Sequence, residues 1–309
     1  MEIQSLTDRS NLKISELGQP LYLPFATGRY RLNLGLKALS IEDWMQFDDQ
    51  FVSYLQQKDG VLQNHYSEAI AGTQASRSAQ QEVLDALLDY LPQRYPMHYQ
   101  RQSEAIANLK TGAVWYPSDF EQMPIELAGR LVQDDLCLML PSEAGYTLEA
   151  ASLCFPLHWR LHDKLGKTVH HIHDSVPNYD DKLAHPVTTY FDRLTPDASG
   201  YRFNWTVLPA SGLVVEPGAL SIGKITPENA GATLWIRVER QTFRRFPRTN
   251  AILFGIHTYL YPLCLLESDS EAAQGLQLAL LQMPDSMQHY KGIAPLIPIV
   301  QAYLRLLGD

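Results

Sequence analysis

Five of the chain's ten histidines, His158, His162, His170, His171 and His173, fall within sixteen residues. Imidazole is the commonest metal ligand and the one side chain that titrates near neutrality unaided, so this cluster favours a metal centre or proton transfer. His158 and His162 stand four apart and share a face if the segment is helical. His171 and His173 stand two apart and share a face if it is a strand. Either pair suits a metal, although HWRLH lacks the glutamate with which an HExxH helix activates zinc-bound water.

A second cluster is cationic. Arg237, Arg240, Arg244, Arg245 and Arg248 occupy twelve residues of a chain whose formal net charge is −9. Guanidinium groups pair bidentately with carboxylate and phosphate, so this string suits a wall against an anionic cofactor. The alternative is a solvated face paired with Glu239 and neighbouring acids. Phe243 and Phe246 between the arginines favour partial burial. Glu239 suits a proton relay or an ion pair, Asn204 and Trp205 point to opposite sides of an expected strand, and Trp159 and Tyr179 suit pocket lining or core.

The chain reads as an extended arm over 1–20 followed by a single domain over 21–309, with a helical part at about 40–140 and a sheet-rich core at about 141–265. Apolar residues at three- and four-residue steps predict helices over 42–57 and 79–90. A helix beginning at 125 shades into a buried strand ending at 140, with 146–154 as its partner. A short helix fits 156–164 and strands fit 201–208, 233–239 and 251–259, whereas 240–245 reads as the start of a turn or helix. Helices over 273–282 and 297–307 close an α+β pattern.

Composition narrows the function. At 45% hydrophobic and 19% charged residues the chain is globular, and a chain of this size buries about three quarters of its surface. Its acidic balance disfavours nucleic acid and anionic lipid as partners. The most apolar stretch, 251–266, is interrupted by His257 and Pro262 and is shorter than the about 20 residues of a membrane span. The N-terminal residues lack the features of a secretory signal, and three cysteines without a CxxC pair fit a reducing compartment, so a cytoplasmic location is expected.

Taken together, LCFPLHWRLHDKLGKTVHHIHDSVPNY, RFNW and RVERQTFRRFPRTNAILFGIHTYL resemble the haem-dependent oxidative N-demethylase-like family, which includes dimethylamine-oxidising enzymes. The likeness extends to PFATGRYRLNLGLKAL, QDDLCLML and YKG at 290–292. It implies a PAS-like haem-binding sheet with helices at both ends of the chain. Haem b would be bound non-covalently, with His173 as proximal iron ligand at the position matching IHxPVP. Ser175 replaces that motif's proline, and His257 stands where the family's last motif has arginine. On this likeness Arg237, Arg240 and Arg244 are expected against the haem carboxylates, Trp159 and Tyr179 around the cofactor, and Glu239 with Asn204 in catalysis.

The resemblance also implies a monooxygenase-type oxidoreductase that uses dioxygen to hydroxylate an alkyl group on a small amine, releasing an aldehyde. No GxGxxG or GxxxxGK[ST] fingerprint occurs, so electrons from NADPH are expected through a separate reductase or electron-transfer protein. A homo-oligomer is compatible with the sequence. Two other readings stay open: a non-catalytic haem or ligand-binding PAS-like sensor, and a zinc or non-haem iron hydrolase built on a histidine pair.

Overall fold

The computed structural model describes residues 18–157, 159–215 and 222–307. The expected arm over 1–20 therefore lies almost wholly outside the described residues, as does His158.

Ten strands form two sheets among these residues. Seven of them, β1 (Lys37–Ala38), β2 (Ile70–Gly72), β6 (Asp135–Ser142), β7 (Gly145–Ser152), β8 (Gly200–Leu208), β9 (Trp235–Arg245) and β10 (Ile252–Pro262), make one open sheet. It is antiparallel throughout, in the order β1-β8-β9-β10-β6-β7-β2. The other three, β3 (Tyr99–Gln102), β4 (Ala105–Asn108) and β5 (Val114–Trp115), form a small meander.

One face of the large sheet carries helices from both ends of the chain. Leu136, Leu138 and Leu253 pack under α1 (Phe51–Asn64), α3 (Arg77–Arg94) and α4 (Pro124–Arg130), the short α2 (Tyr66–Ala69) lying between the first two in sequence. Farther along the same face, Val207, Ile236, Val238 and Tyr261 pack with Leu276, Leu280, Val300 and Leu304. The latter come from α8 (Ser270–Gln282) and α10 (Ile297–Leu306), the short α7 (Ala230–Thr233) leading into β9. The period of two along each strand sends the alternate side chains to the opposite face. This is an α+β fold with an open sheet flanked by helix clusters, consistent with a PAS-like arrangement.

The strands follow the alternation expected of them, with one correction. Residues 240–245 do not turn: β9 continues through Arg245, paired residue for residue with β10 as far as Ile252. The apolar count fails there because Arg240, almost wholly buried, satisfies its guanidinium on the Asp43 and Trp44 carbonyls. Those carbonyls belong to a turn that also displaces the expected helix at 42–57. The Asp48 carboxylate accepts the Gln50 N–H at 2.9 Å, and helix begins only at Phe51. The helix expected at 156–164 shrinks to one 3-10 turn, Leu161–Asp163. Upstream of it, Asp135 accepts the N–H groups of Cys154 and Phe155, both at 2.8 Å, and fixes the chain as it leaves β7. Among the described residues no helix is long and apolar enough to cross a membrane.

Candidate functional site: a cleft on the free face of the sheet

The face turned away from those helices bounds a cavity of about 990 Å³. Its cover is α5 (Val169–Ile172), α6 (His185–Arg193) and the segment over 21–37. Toward β6 and β10 the wall is apolar, with Cys137, Met139, Phe254 and Ile256 joined by Phe243 and Phe191. Toward β8 and β9 it is polar. Such a volume and mixture are those of a site for a large organic ligand.

His173 lies on the cover of this cleft. It is not on a strand, as its spacing from His171 suggested, but closes α5 as the C-terminal cap. Thr168 makes the helix possible by accepting the His171 N–H, and Lys164 Nζ donates to the Ile172 carbonyl at 2.7 Å. His173 Nδ1 lies 2.7 Å from the Val169 carbonyl oxygen. A carbonyl only accepts, so Nδ1 carries the proton and Nε2 keeps its lone pair. The ring stacks on Tyr179 with centroids 4.8 Å apart and planes within 4°. Burial pushes its pKa below the ordinary value, with Arg202 and Lys164 adding to the effect and the Val169 bond opposing it. The product is an oriented, neutral imidazole.

The other described histidines of the cluster do not join it. His171 is exposed, with Nδ1 2.7 Å from the Thr168 hydroxyl, and His170 Nδ1 lies 3.4 Å from Asp180. His162 sits exposed on the 3-10 turn. Among the described residues no three His, Cys, Asp or Glu converge in a metal-holding group.

The polar floor is assembled by strand register. Asn204 pairs with Glu239, and Thr206 with Arg237, so the side chains of β8 and β9 meet on the cleft side. Glu239 accepts from Arg237 Nε at 3.3 Å, Asn204 Nδ2 at 3.3 Å and Gln241 Nε2 at 3.1 Å. Burial pushes the Glu239 carboxyl up, but Arg237, Asn204 and Lys291 outweigh it and hold the pKa below the usual range. Lys291, which follows α9 (Asp285–Tyr290), donates to Asn204 Oδ1 at 2.7 Å and to the Trp205 carbonyl at 2.8 Å. Burial pushes this ammonium down to about 8, with Glu239 opposing. Trp205 packs edge-on to Phe25, 5.2 Å between centroids, leaving Asn204 to the cleft.

The expected arginine wall divides between the two faces. Arg237 lines the cleft, but its guanidinium is committed to Phe155 O at 2.7 Å, Thr258 Oγ1 at 3.1 Å, Leu213 O at 3.3 Å and Glu239. Arg240 and Arg244 point the other way. The first holds the Asp43 and Trp44 carbonyls, and the second lies 4.1 Å over the Trp44 ring. Alternation along one strand forces this split, because 237 and 239 share a face from which 240 and 244 are excluded. Arg240→Ala should therefore lower stability by about 1–3 kcal/mol, the cost of orphaned buried acceptors. Urea titration reads that loss, and ligand content of the cleft should stay unchanged.

Trp159 lines the cleft half-buried, and Tyr179 is buried against His173. Among the polar cleft residues to which the sequence assigned no role are Arg202, Gln241 and Lys291. Arg202 and Gln241 were reachable by stepping two residues along β8 and β9, whereas Lys291 was marked only as the centre of the YKG in the family likeness, without a role. A family model described as "Haem-dependent oxidative N-demethylase, alpha subunit-like" matches residues 35–300.

Proposed function

Because the chain belongs to the haem-dependent oxidative N-demethylase alpha-subunit-like family, we propose that this cleft is a pocket for non-covalent haem b with His173 as the protein ligand to iron. The observation that carries the reading is the His173 imidazole. A neutral ring with Nδ1–H on a backbone carbonyl and Nε2 left basic is the usual arrangement of a metal-ligating histidine. The donor set and the walls fit the group: Phe243, Phe254 and Ile256 suit an apolar macrocycle, and Trp159 and Tyr179, which line the same cleft, would help to hold it. Arg160, Lys164 and Lys167, which also line the cleft, would suit its carboxylates.

Bound haem would supply activation of dioxygen and oxidation of an N-alkyl group, with electrons from NADPH through a separate reductase. The chain's part is to orient and to move protons. Tyr179 and Val169 fix the imidazole from two sides. At the floor, Lys291 Nζ, Asn204 and Glu239 form an unbroken line of hydrogen bonds from an ammonium to a carboxylate. With a pKa of about 8, Lys291 is the member of this line that can exchange a proton with the cleft near neutrality, while Asn204 holds its place by bonding both ends. Arg237 keeps Glu239 ionised, so that it orients Asn204 and Lys291 as a fixed negative charge.

Turnover tests this reading. The haem-loaded chain with NADPH alone should be inert. Adding a competent reductase and a small secondary or tertiary amine should release aldehyde in step with oxygen uptake. A panel of such amines giving neither aldehyde nor a change in the haem spectrum would replace the enzyme reading with that of a sensor.

A further inference from the structure

On the N-demethylase reading just given, we infer that the cleft floor contains a carboxylate-binding subsite centred on Arg202, and that the substrate class is an N-methylated amine bearing a carboxylate. Four observations lead there.

The cleft opposes the charge of the chain. In a protein of net charge −9, nine arginines and lysines line it against three carboxylates, Asp135, Asp163 and Glu239, among the described residues. A simple alkylammonium entering such a field is repelled, and an anion is drawn in. The carboxylates offer it no compensation. Glu239 is filled by Arg237, Asn204 and Gln241. Asp135 is filled by the Cys154 and Phe155 N–H groups and faces Lys58 at 3.8 Å, and Asp163 is exposed.

Arg202, which feels the Glu239 carboxylate and Tyr30 electrostatically, keeps an unspent donor. Its Nε is buried and has no hydrogen-bond partner among the described residues. Buried polar groups are almost always paired, so an orphaned guanidinium N–H in a cleft wall points to a ligand that supplies the acceptor. A planar fork of N–H donors matches a carboxylate's two oxygens. Lys291 supports it: two of its three ammonium donors are used, on Asn204 and Trp205.

The carboxylates of haem do not account for Arg202. An amphiphile with one apolar and one doubly charged end enters an apolar-walled cleft with the charges toward water. The mouth already presents the exposed Arg29, Arg31, Lys37, Arg160 and Lys167 to receive them. Arg202 faces inward from β8, in register with Gln241 and two residues from Asn204. An acid group held there would place the amine of a short amino acid within the cleft.

Calorimetric titration of the purified, haem-loaded chain with acetate, N-methylglycine and dimethylammonium chloride tests the subsite. N-methylglycine should bind most tightly, acetate less so, and dimethylammonium least. Arg202→Gln should weaken N-methylglycine about tenfold to a hundredfold, the worth of a charge-assisted pair, with haem per chain unchanged. The inference is overturned if dimethylammonium binds more tightly than N-methylglycine, or if Arg202→Gln leaves the binding intact. It is also overturned if that variant loses haem in parallel, which would make Arg202 a cofactor anchor. Should Arg202→Gln not fold, the order of the three probes on the unaltered chain decides alone. N-methylglycine binding without aldehyde release would leave the subsite standing and remove the demethylase. Aldehyde from dimethylamine but not from N-methylglycine would do the reverse.

Discussion

Replacing His173 with glycine should empty the cleft of haem, and imidazole added to the buffer should restore it. The cofactor's affinity then rests on one protein atom, Nε2, whose basicity and direction come from the Nδ1 bond to Val169 and the stacked Tyr179 ring. Loss of outer partners of a metal ligand alone costs about 10–100-fold in affinity, so loss of the ligand itself should exceed about a hundredfold. His171→Ala provides the control, because that ring is exposed and bonded to Thr168. If His173→Gly retains its full haem spectrum while His171→Ala loses it, the ligand assignment is wrong. A structural role for His173 predicts lost stability that imidazole does not repair.

The second large effect lies on the other face of the sheet. His257 is wholly buried, with Nδ1 3.0 Å from Asp134 and Nε2 3.8 Å from Asp48, and stacks on Tyr259 at 4.4 Å. Burial pushes its pKa down, but the two carboxylates outweigh this and raise it above the ordinary value. The raised pKa favours the charged imidazole between the two acids. His257→Ala leaves both carboxylates without it, and breaking a buried charge group costs about 3–5 kcal/mol.

The pH dependence has a definite sign. A histidine whose folded pKa is raised contributes stability that is complete below its unfolded value, about 6.5, and is lost as pH rises through the folded value. Relative to His257→Ala, the unaltered chain should therefore show its largest advantage at pH 6 and a shrinking one in more alkaline buffer. Urea titrations at several pH values measure this difference. An advantage that grows as pH rises above 6.5 would show that the imidazole is neutral in the fold.

Legibility in the sequence followed the range of the interactions. The β6–β7 hairpin and the strands β8 and β10 lie where apolar runs and alternation put them, because both are local properties. The segment near 44–50 departed from helix, and the chain leaving β7 at 154–155 was fixed in place, because distant groups, Arg240 and Asp135, bond backbone atoms there. His173 was marked by its resemblance, while the spacing from His171 suggested a strand that Thr168 and Lys164 convert into a capped helical turn. Arginine composition alone did not distinguish a guanidinium facing a ligand from one buried on carbonyls, although alternation carried through residue 245 separates Arg237 from Arg240 and Arg244. The contacts of Lys291 with Asn204, and of His257 with Asp48 and Asp134, join segments far apart in the chain. No spacing rule reaches them.

Optical titration of the purified chain with haemin, followed by reduction under carbon monoxide, bears most directly on the claim that the cleft is a haem pocket. Saturation of the Soret band at one haem per chain, with a carbon monoxide complex characteristic of histidine-ligated ferrous haem, is the result expected. No saturable Soret change, or a band that His173→Gly leaves untouched, would contradict it.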